Sequence, residues 1–175
     1  MKHSNISVFI PHMGCPNCCS FCNQRTISST VKAPTAEEVT EILDNACRKL
    51  HDPHNTEIAF FGGSFTAVER SYMVSLLKAA QPFIKNYGLI GIRISTRPDC
   101  INDEILSLLK QYDVTSIELG AQSMDDEVLE LNERGHCAQD VIDSAELIKA
   151  FGFELGLQMM IGLYGSTPQK EWETV

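Results

Sequence analysis

The sequence predicts an α/β fold of about five β/α units, arranged as an open doubly wound sheet or as an arc of a barrel. Short apolar, β-branched runs alternate with longer segments of helical spacing along the 175 residues. These runs are apolar at nearly consecutive positions, which is typical of parallel strands buried on both faces. Right-handed crossovers between successive strands leave both architectures open.

Five strands and five complete helices follow from these patterns. The strands are predicted at 6–10, 57–62, 89–95, 116–121 and 154–162, and the helices at 35–50, 68–88, 102–112, 125–135 and 138–152. Thr35, followed by acidic residues, suits an N-cap, and Pro82 is expected to kink or divide the second helix. A sixth helix opens at Thr167-Pro168 shortly before the sequence ends. We therefore expect further strands in a longer parent protein.

Composition narrows the functional classes. A hydrophobic content of 43% suffices for one domain with a sizeable core. The net charge of −9 argues against a dedicated nucleic-acid-binding module, which normally carries a basic surface. The N-terminal apolar run at 6–10 is too short for a signal peptide, and no run approaches the length of a membrane span. A cytoplasmic protein without a membrane partner is expected, in which seven cysteines indicate metal or redox chemistry.

Four of these cysteines lie in one short segment, "PHMGCPNCCSFCNQ" (11–24), and three chemistries compete for it. A thioredoxin-like pair could use Cys15 and Cys18 or Cys19 and Cys22, but it leaves two thiols unexplained. A structural zinc site normally takes two separated ligand pairs, and no second pair follows. The third interpretation omits Cys18: three thiolates at the spacing C-x3-C-x2-C can hold three corners of an iron–sulfur cubane, leaving the fourth iron open.

The third interpretation is supported by a resemblance that runs through most of the chain. The C-x3-C-x2-C spacing after the first strand, with an aromatic before the last cysteine, resembles the signature of the radical SAM superfamily. Four later segments, each following a predicted strand, resemble that superfamily's motifs in the same order: "FFGGSFTAV" (60–68), "RISTRPDCI" (93–101), "IELGAQSMDDEVLELNERGH" (117–136) and "LQMMIGLYGST" (157–167). The series is similar to the branch that contains the Elongator subunit 3 radical domain and the oxygen-independent coproporphyrinogen oxidases.

The resemblance implies a site for two cofactors. Cys15, Cys19 and Cys22 would ligate a [4Fe–4S] cluster, whose unique iron would bind the amine and carboxylate of S-adenosylmethionine (SAM). Eight further residues would surround SAM: Phe21, Gly62, Gly63, Ser64, Ser95, Gln122, Arg134 and Gln158.

Individual positions within this set carry more specific implications. The two glycines lack a Cβ that would obstruct the ligand. Arg134 matches an arginine that contacts the SAM carboxylate, and Gln158 sits where relatives have a polar residue near the ribose or adenine. Ser95 stands where many relatives have glutamate. An alternative ligand set of Cys15, Cys18 and Cys22 remains open, and His136 is expected to be solvated.

The implied function is that of a radical SAM enzyme, and residues 1–175 would be the N-terminal part of its core domain, a partial (β/α) barrel. Such an enzyme generates a 5′-deoxyadenosyl radical and abstracts hydrogen from a substrate, which is unknown here, with tRNA- and tetrapyrrole-related molecules as candidates. A reductant such as flavodoxin or ferredoxin would be a partner; tRNA stays a candidate partner that the net charge does not favour. The competing hypothesis is a non-catalytic metal-binding or thiol-redox protein that uses the same cysteines.

Overall fold

The computed structural model describes residues 3–11, 15, 19–22 and 32–175. Its centre is a parallel sheet of five strands: β1 (Ser4–Ile10), β2 (Thr56–Gly62), β3 (Ile92–Thr96), β4 (Val114–Gln122) and β5 (Glu154–Met159). The spatial order of these described strands is β1-β2-β3-β4-β5. A doubly wound sheet needs a point at which the strand order reverses. The uninterrupted order instead gives the arc of a (β/α) barrel, which confirms the partial-barrel prediction.

In the part of the chain that the structure describes, six α-helices follow the strands or lie between them: α1 (Ala36–Cys47), α2 (Arg70–Tyr87), α3 (Asp103–Gln111), α4 (Asp126–Leu131), α5 (Ala138–Ala150) and α6 (Pro168–Thr174). The predicted N-cap of α1 is present, because the hydroxyl of Thr35 accepts from the amide of Glu38 while the Glu38 carboxylate accepts from the amide of Thr35. Within the described chain, none of these helices has the length and apolar character needed to cross a bilayer.

Two helices, α2 and α4, depart from the predictions in a way that has a clear local cause. Helix α2 runs as one element through Pro82. Proline has no amide hydrogen, so the Lys78 carbonyl loses its partner within the helix. Because Lys78 and Pro82 are both exposed, this carbonyl lies on the solvent side of the helix. Helix α4 ends at Leu131 instead of 135, because Glu133 and Gly135 take positive φ angles of 54° and 73°. This early end forms the turn that carries Arg134.

The two faces of the sheet have different chemistry. One face packs against the helices and forms the core, with alternate strand residues Ile6, Val8, Ile10, Ile58, Phe60, Ile92, Ile94, Ile117 and Leu119 buried among helix residues such as Leu43, Leu76, Leu106 and Ile148. The opposite face carries polar residues, including Glu57, Arg93 and Glu118. The prediction that the strands are buried on both faces was therefore wrong for the concave face of β1 and β5, where Asn5, Ser7 and Glu154 are exposed.

Candidate functional site

The carboxyl ends of the strands surround one open cavity with about 620 Å³ of free space. This is the end at which barrel folds assemble their active sites. The cavity is lined by every residue that the sequence analysis assigned to a cluster or a SAM site: Cys15, Cys19, Phe21, Cys22, Gly62, Gly63, Ser64, Ser95, Gln122, Arg134 and Gln158. Thr96, Arg97 and Gly120 complete the lining. The fold thus brings these residues together, whereas their individual roles stay predictions.

The three predicted ligand thiols lie on the segment after β1. Cys19 is buried, and Cys15 and Cys22 are partly exposed. The amide of Cys22 donates to the carbonyl of Cys19 at 2.9 Å, which closes a turn between these two cysteines. Cys18 and His12 lie outside the described residues, so the alternative ligand set with Cys18 is not tested.

This cysteine segment is held against the chain that follows α4. The backbone amide of Ser20 donates to the carbonyl of Asn132 at 3.2 Å, and the Ser20 hydroxyl donates to the Asn132 side-chain oxygen at 2.8 Å. The Asn132 amide in turn donates to the carbonyls of Val128 and Tyr164, each at 2.8 Å. Asn132, which the sequence analysis did not single out, therefore joins the cysteine segment to the ends of two β/α units.

The chemistry of the donor set fits an iron–sulfur cluster. The thiolates on a cubane each bind a different iron, so three of them leave one iron open. The described lining of the cavity offers three sulfur donors and no carboxylate. This is a donor set typical of iron–sulfur proteins.

The loop after β2 brings backbone close to this site. Gly62 has a φ angle of 120°, and a Cβ built on it would lie 2.5 Å from the Ile10 carbonyl oxygen and 2.6 Å from the Phe9 ring. The amide of Gly63 donates to the same Ile10 carbonyl at 3.0 Å. Beyond the glycines, Phe65 stacks on the core residue Phe60 with 4.9 Å between the ring centroids. The loop is therefore anchored on both sides and requires glycine at position 62.

Arg134 connects the cysteine segment to the end of β4. It is 6% exposed, and its Nη1 donates to the sulfur of Cys19 at 3.2 Å while its Nη2 donates to the carbonyl of Gly120 at 2.6 Å. The guanidinium carbon lies 5.8 Å from the centroid of the Phe21 ring, within the range of a cation–π contact. A buried cation beside Cys19 suits a negatively charged iron–thiolate centre.

Arg97 holds the backbone of Arg134 in place through a hydrogen bond. It is 4% exposed, forms a bidentate ion pair with Asp99 at 2.8 and 3.1 Å, and donates to the backbone carbonyl of Arg134. Its own amide donates to the hydroxyl of Ser64 at 3.2 Å, and that hydroxyl also bonds the Thr96 hydroxyl at 2.9 Å. Ser64 thus ties the loop after β2 to the loop after β3.

Gln122 lines the cavity at the end of β4, and His136 is buried against the same strand end. Gln122 takes a φ angle of 70° where the register between β4 and β5 shifts, so its backbone is strained at the site. His136 is 8% exposed, and its Nε2 lies 3.3 Å from the carbonyl of Ala121. Burial, together with the charge of Arg134, lowers the pKa of His136. The expectation of a solvated His136 was wrong, because the Gly135 turn directs the chain inward.

A charged layer on the concave face lies below the cavity, and the sequence analysis missed it. Glu57 is 1% exposed and accepts from Arg93 Nε at 2.8 Å and from the hydroxyls of Ser116 and Thr115 at 2.8 and 2.9 Å. Arg93 Nη1 also donates to Glu118 at 3.3 Å. Burial alone would raise the pKa of Glu57, but the two hydroxyls and Arg93 outweigh burial and hold this pKa below its ordinary value.

The lowered pKa of Glu57 predicts an acid-sensitive contribution to stability. Ionised Glu57 stabilises the folded state above the unfolded-state pKa, and this contribution is lost as pH falls through the lower folded-state pKa. At about pH 6 we expect the free energy of unfolding to be higher for the wild type than for Glu57→Gln. This difference should become smaller as the pH falls towards about 3. Urea unfolding of both proteins at a series of pH values measures the difference. Glu104→Gln serves as the control, because Glu104 is exposed and forms a surface ion pair with Arg70. Its free energy of unfolding should stay within about 1 kcal/mol of the wild-type value at every pH. A gap for Glu57→Gln that widens on acidification would contradict the prediction.

Comparisons with known proteins agree with this geometry. The sequence profile described as "Radical SAM superfamily" matches residues 9–175. A tRNA uridine(34) acetyltransferase of Dehalococcoides mccartyi is 23% identical over 95% of this chain and 43% of its own length. The oxygen-independent coproporphyrinogen-III oxidase-like protein HemZ of Bacillus subtilis is 28% identical over 91% of this chain and 34% of its own. The solved structure of Methanocaldococcus infernus Elp3 superposes with a TM-score of 0.72 at 21% identity, covering 98% of this chain and 41% of that one. The chain therefore spans less than half of each of these proteins.

Proposed function

Because the chain belongs to the radical SAM superfamily, we propose that it binds a [4Fe–4S] cluster through Cys15, Cys19 and Cys22 and SAM in the adjoining space. The observation that carries this proposal is the convergence of three thiols and eight further predicted residues, drawn from all five strand ends, on one cavity. With both groups bound, the site would supply a 5′-deoxyadenosyl radical for hydrogen abstraction from a substrate.

The chain's own residues would bind and orient SAM. Gly62 and Gly63 allow close approach of the backbone to the methionine end, beside Ser64. Arg134, already next to Cys19, has the charge to hold the SAM carboxylate near the cluster. Phe21 would pack near the adenine.

Gln122, Ser95 and Gln158 would hydrogen-bond the rest of the nucleoside, with Ser95 and Gln158 beside the ribose. All three side chains line the cavity. Gln122 and Gln158 come from the ends of the neighbouring strands β4 and β5, and Ser95 comes from β3. The nucleoside would therefore lie across the carboxyl ends of three strands.

The names of the relatives point to two substrate classes, tRNA and tetrapyrroles. The net charge of −9 does not favour binding of a polyanionic tRNA by this part of the chain. A small reductant protein such as flavodoxin or ferredoxin is proposed as the electron source.

Anaerobic reconstitution with iron and sulfide, followed by EPR of the dithionite-reduced protein, tests this function. We expect a [4Fe–4S]⁺ signal that changes when SAM is added, because the amine and carboxylate of SAM would bind the open iron. Adenosine, which lacks both groups, serves as the control ligand and should leave the signal unchanged. Uptake of zinc instead of iron, or a cluster signal indifferent to SAM, would favour the non-catalytic metal-binding or thiol-redox protein.

A further inference from the structure

Glu118 links the charged layer to the wall of the cofactor cavity. One carboxylate oxygen, Oε1, accepts from Arg93 Nη1 at 3.3 Å. The other, Oε2, accepts from Gln158 Nε2 at 2.5 Å and from the Ser95 hydroxyl at a longer 3.5 Å. Arg93 is itself held by the buried Glu57 at 2.8 Å. The carboxylate of Glu118 is therefore anchored from below and contacts two residues of the cavity wall.

The chemistry of a carboxylate determines which atoms Ser95 and Gln158 present to a ligand. An ionised carboxylate accepts hydrogen bonds and donates none. Gln158 must therefore direct its amide nitrogen to Glu118, which leaves its carbonyl oxygen for other partners. The Ser95 hydroxyl lies 3.5 Å from Glu118, at the long limit of a hydrogen bond, and directing its single hydrogen there leaves its oxygen lone pairs for a ligand. Both side chains consequently present acceptors.

These two acceptors lie on a wall shared by two cavities. Ser95 and Gln158 line the cofactor cavity and also a second cavity below it, which is lined by Arg93 and Glu118 as well. Since both contact the same oxygen of Glu118, Ser95 Oγ and Gln158 Nε2 are at most about 6 Å apart. The acceptor of Gln158 is its carbonyl oxygen, about 2.2 Å from Nε2, so the two acceptors are at most about 8 Å apart. A pair of neighbouring hydroxyl groups on a ligand can donate to two acceptors at such a separation, given O–H···O distances of about 2.8 Å.

We propose that Glu118 is a positioning residue that makes Ser95 and Gln158 hydrogen-bond acceptors for the two ribose hydroxyls of SAM. This inference rests on the proposed SAM site and adds a residue outside it. Without the carboxylate, the Gln158 amide is free to turn its nitrogen towards the ligand, and the Ser95 hydroxyl is free to donate its hydrogen to the ligand. The cavity wall then no longer favours ligand groups that donate hydrogen bonds. The selectivity of the site for a diol then depends on Glu118 although Glu118 does not contact SAM.

The test compares two ligands, SAM and a SAM analogue that lacks both ribose hydroxyls, by anaerobic calorimetry on the cluster-loaded chain. The wild type should bind SAM at least about tenfold more tightly than the analogue. In Glu118→Gln, SAM should bind about tenfold more weakly than in the wild type, while affinity for the analogue changes by less than about twofold. A merely structural role of Glu118 would weaken both ligands equally.

Glu154→Gln is the matched control. Glu154 approaches the same Arg93 at 4.0 Å and accepts from Ser116 at 3.2 Å, but its carboxylate is largely exposed and its described contacts include neither Ser95 nor Gln158. The ratio of the two affinities should therefore stay at the wild-type value. Ser95→Ala offers a second route if Glu118→Gln does not fold, because it removes one acceptor and leaves the Glu118–Arg93 pair intact. It should weaken SAM several-fold and spare the analogue.

The outcomes separate the two proposals. Unchanged SAM affinity in Glu118→Gln, or equal losses for both ligands, would overturn the role of Glu118 and leave the SAM site standing. A wild-type chain that holds a cluster but binds neither ligand would overturn the SAM site, and the role of Glu118 with it.

Discussion

Replacement of Cys19 by alanine is expected to abolish assembly of the iron–sulfur cluster. Three protein thiolates leave one iron open for SAM, so the loss of one more ligand exposes a second iron to solvent. Cys19 is also the buried member of the three, and its sulfur accepts a hydrogen bond from Arg134. Iron bound after anaerobic reconstitution should fall from about four atoms per chain to nearly none. Iron and sulfide analysis and EPR of the reduced protein measure the loss, with thermal unfolding as a check on folding.

Two further variants give this experiment its controls. Cys137 is exposed at the start of α5 and does not line the cavity, so Cys137→Ala should retain the full iron content. Cys18→Ala should do the same if the ligand spacing is C-x3-C-x2-C. Full cluster assembly in Cys19→Ala together with its loss in Cys18→Ala would instead assign the ligands as Cys15, Cys18 and Cys22.

The second large effect is expected on stability, for Gly62→Ala. A non-glycine residue at a φ angle of 120° costs about 1–3 kcal/mol in backbone strain. The new Cβ would also meet the Ile10 carbonyl at 2.5 Å, and relief of such overpacking costs about 1–3 kcal/mol more. We expect the free energy of unfolding to fall by about 3 kcal/mol or more, measured by urea denaturation. SAM binding should weaken too, because Gly62 lines the cavity.

Gly162→Ala separates the two causes of this loss. Gly162 also has a positive φ angle, 79°, but among the described residues nothing lies within 4 Å of a Cβ built there. This variant should lose only the backbone contribution, about 1–2 kcal/mol. Equal losses of stability in Gly62→Ala and Gly162→Ala would show that the close approach of β1 to Gly62 does not add to the cost of a side chain at position 62.

The residues of the candidate site could be named from the sequence because each motif follows a predicted strand. Parallel strands in a β/α series place their carboxyl ends at one edge, so motifs from 15 to 158 meet although they are distant in the chain. Contacts made across the fold could not be found in this way. Asn132 and the buried His136 lie within the segment 117–136, but no spacing in the sequence encodes their contacts with the carbonyls of Tyr164 and Ala121.

The charged layer had a signal that was overlooked. Four of the strands carry a single acidic or basic residue within an otherwise apolar stretch: Glu57, Arg93, Glu118 and Glu154. Each occupies the alternate position that faces the concave side, and an unpaired charge buried there, as at Glu57, would be costly. A charged residue in four of the five strands is therefore a sign of a polar barrel interior, although the pairing of Arg93 with both Glu57 and Glu118 follows only from strand register.

The sequence by itself determined the succession of strands and helices and the cysteine spacing, because hydrophobic period, capping and ligand spacing are properties of short segments. Only the tertiary structure decided between a doubly wound sheet and a barrel arc, because strand order depends on contacts between segments tens of residues apart. It also decided that Arg134 lies against Cys19 and that Glu118 reaches both Ser95 and Gln158. These contacts join different β/α units, and a local pattern carries no information about which side chains a closed arc brings together.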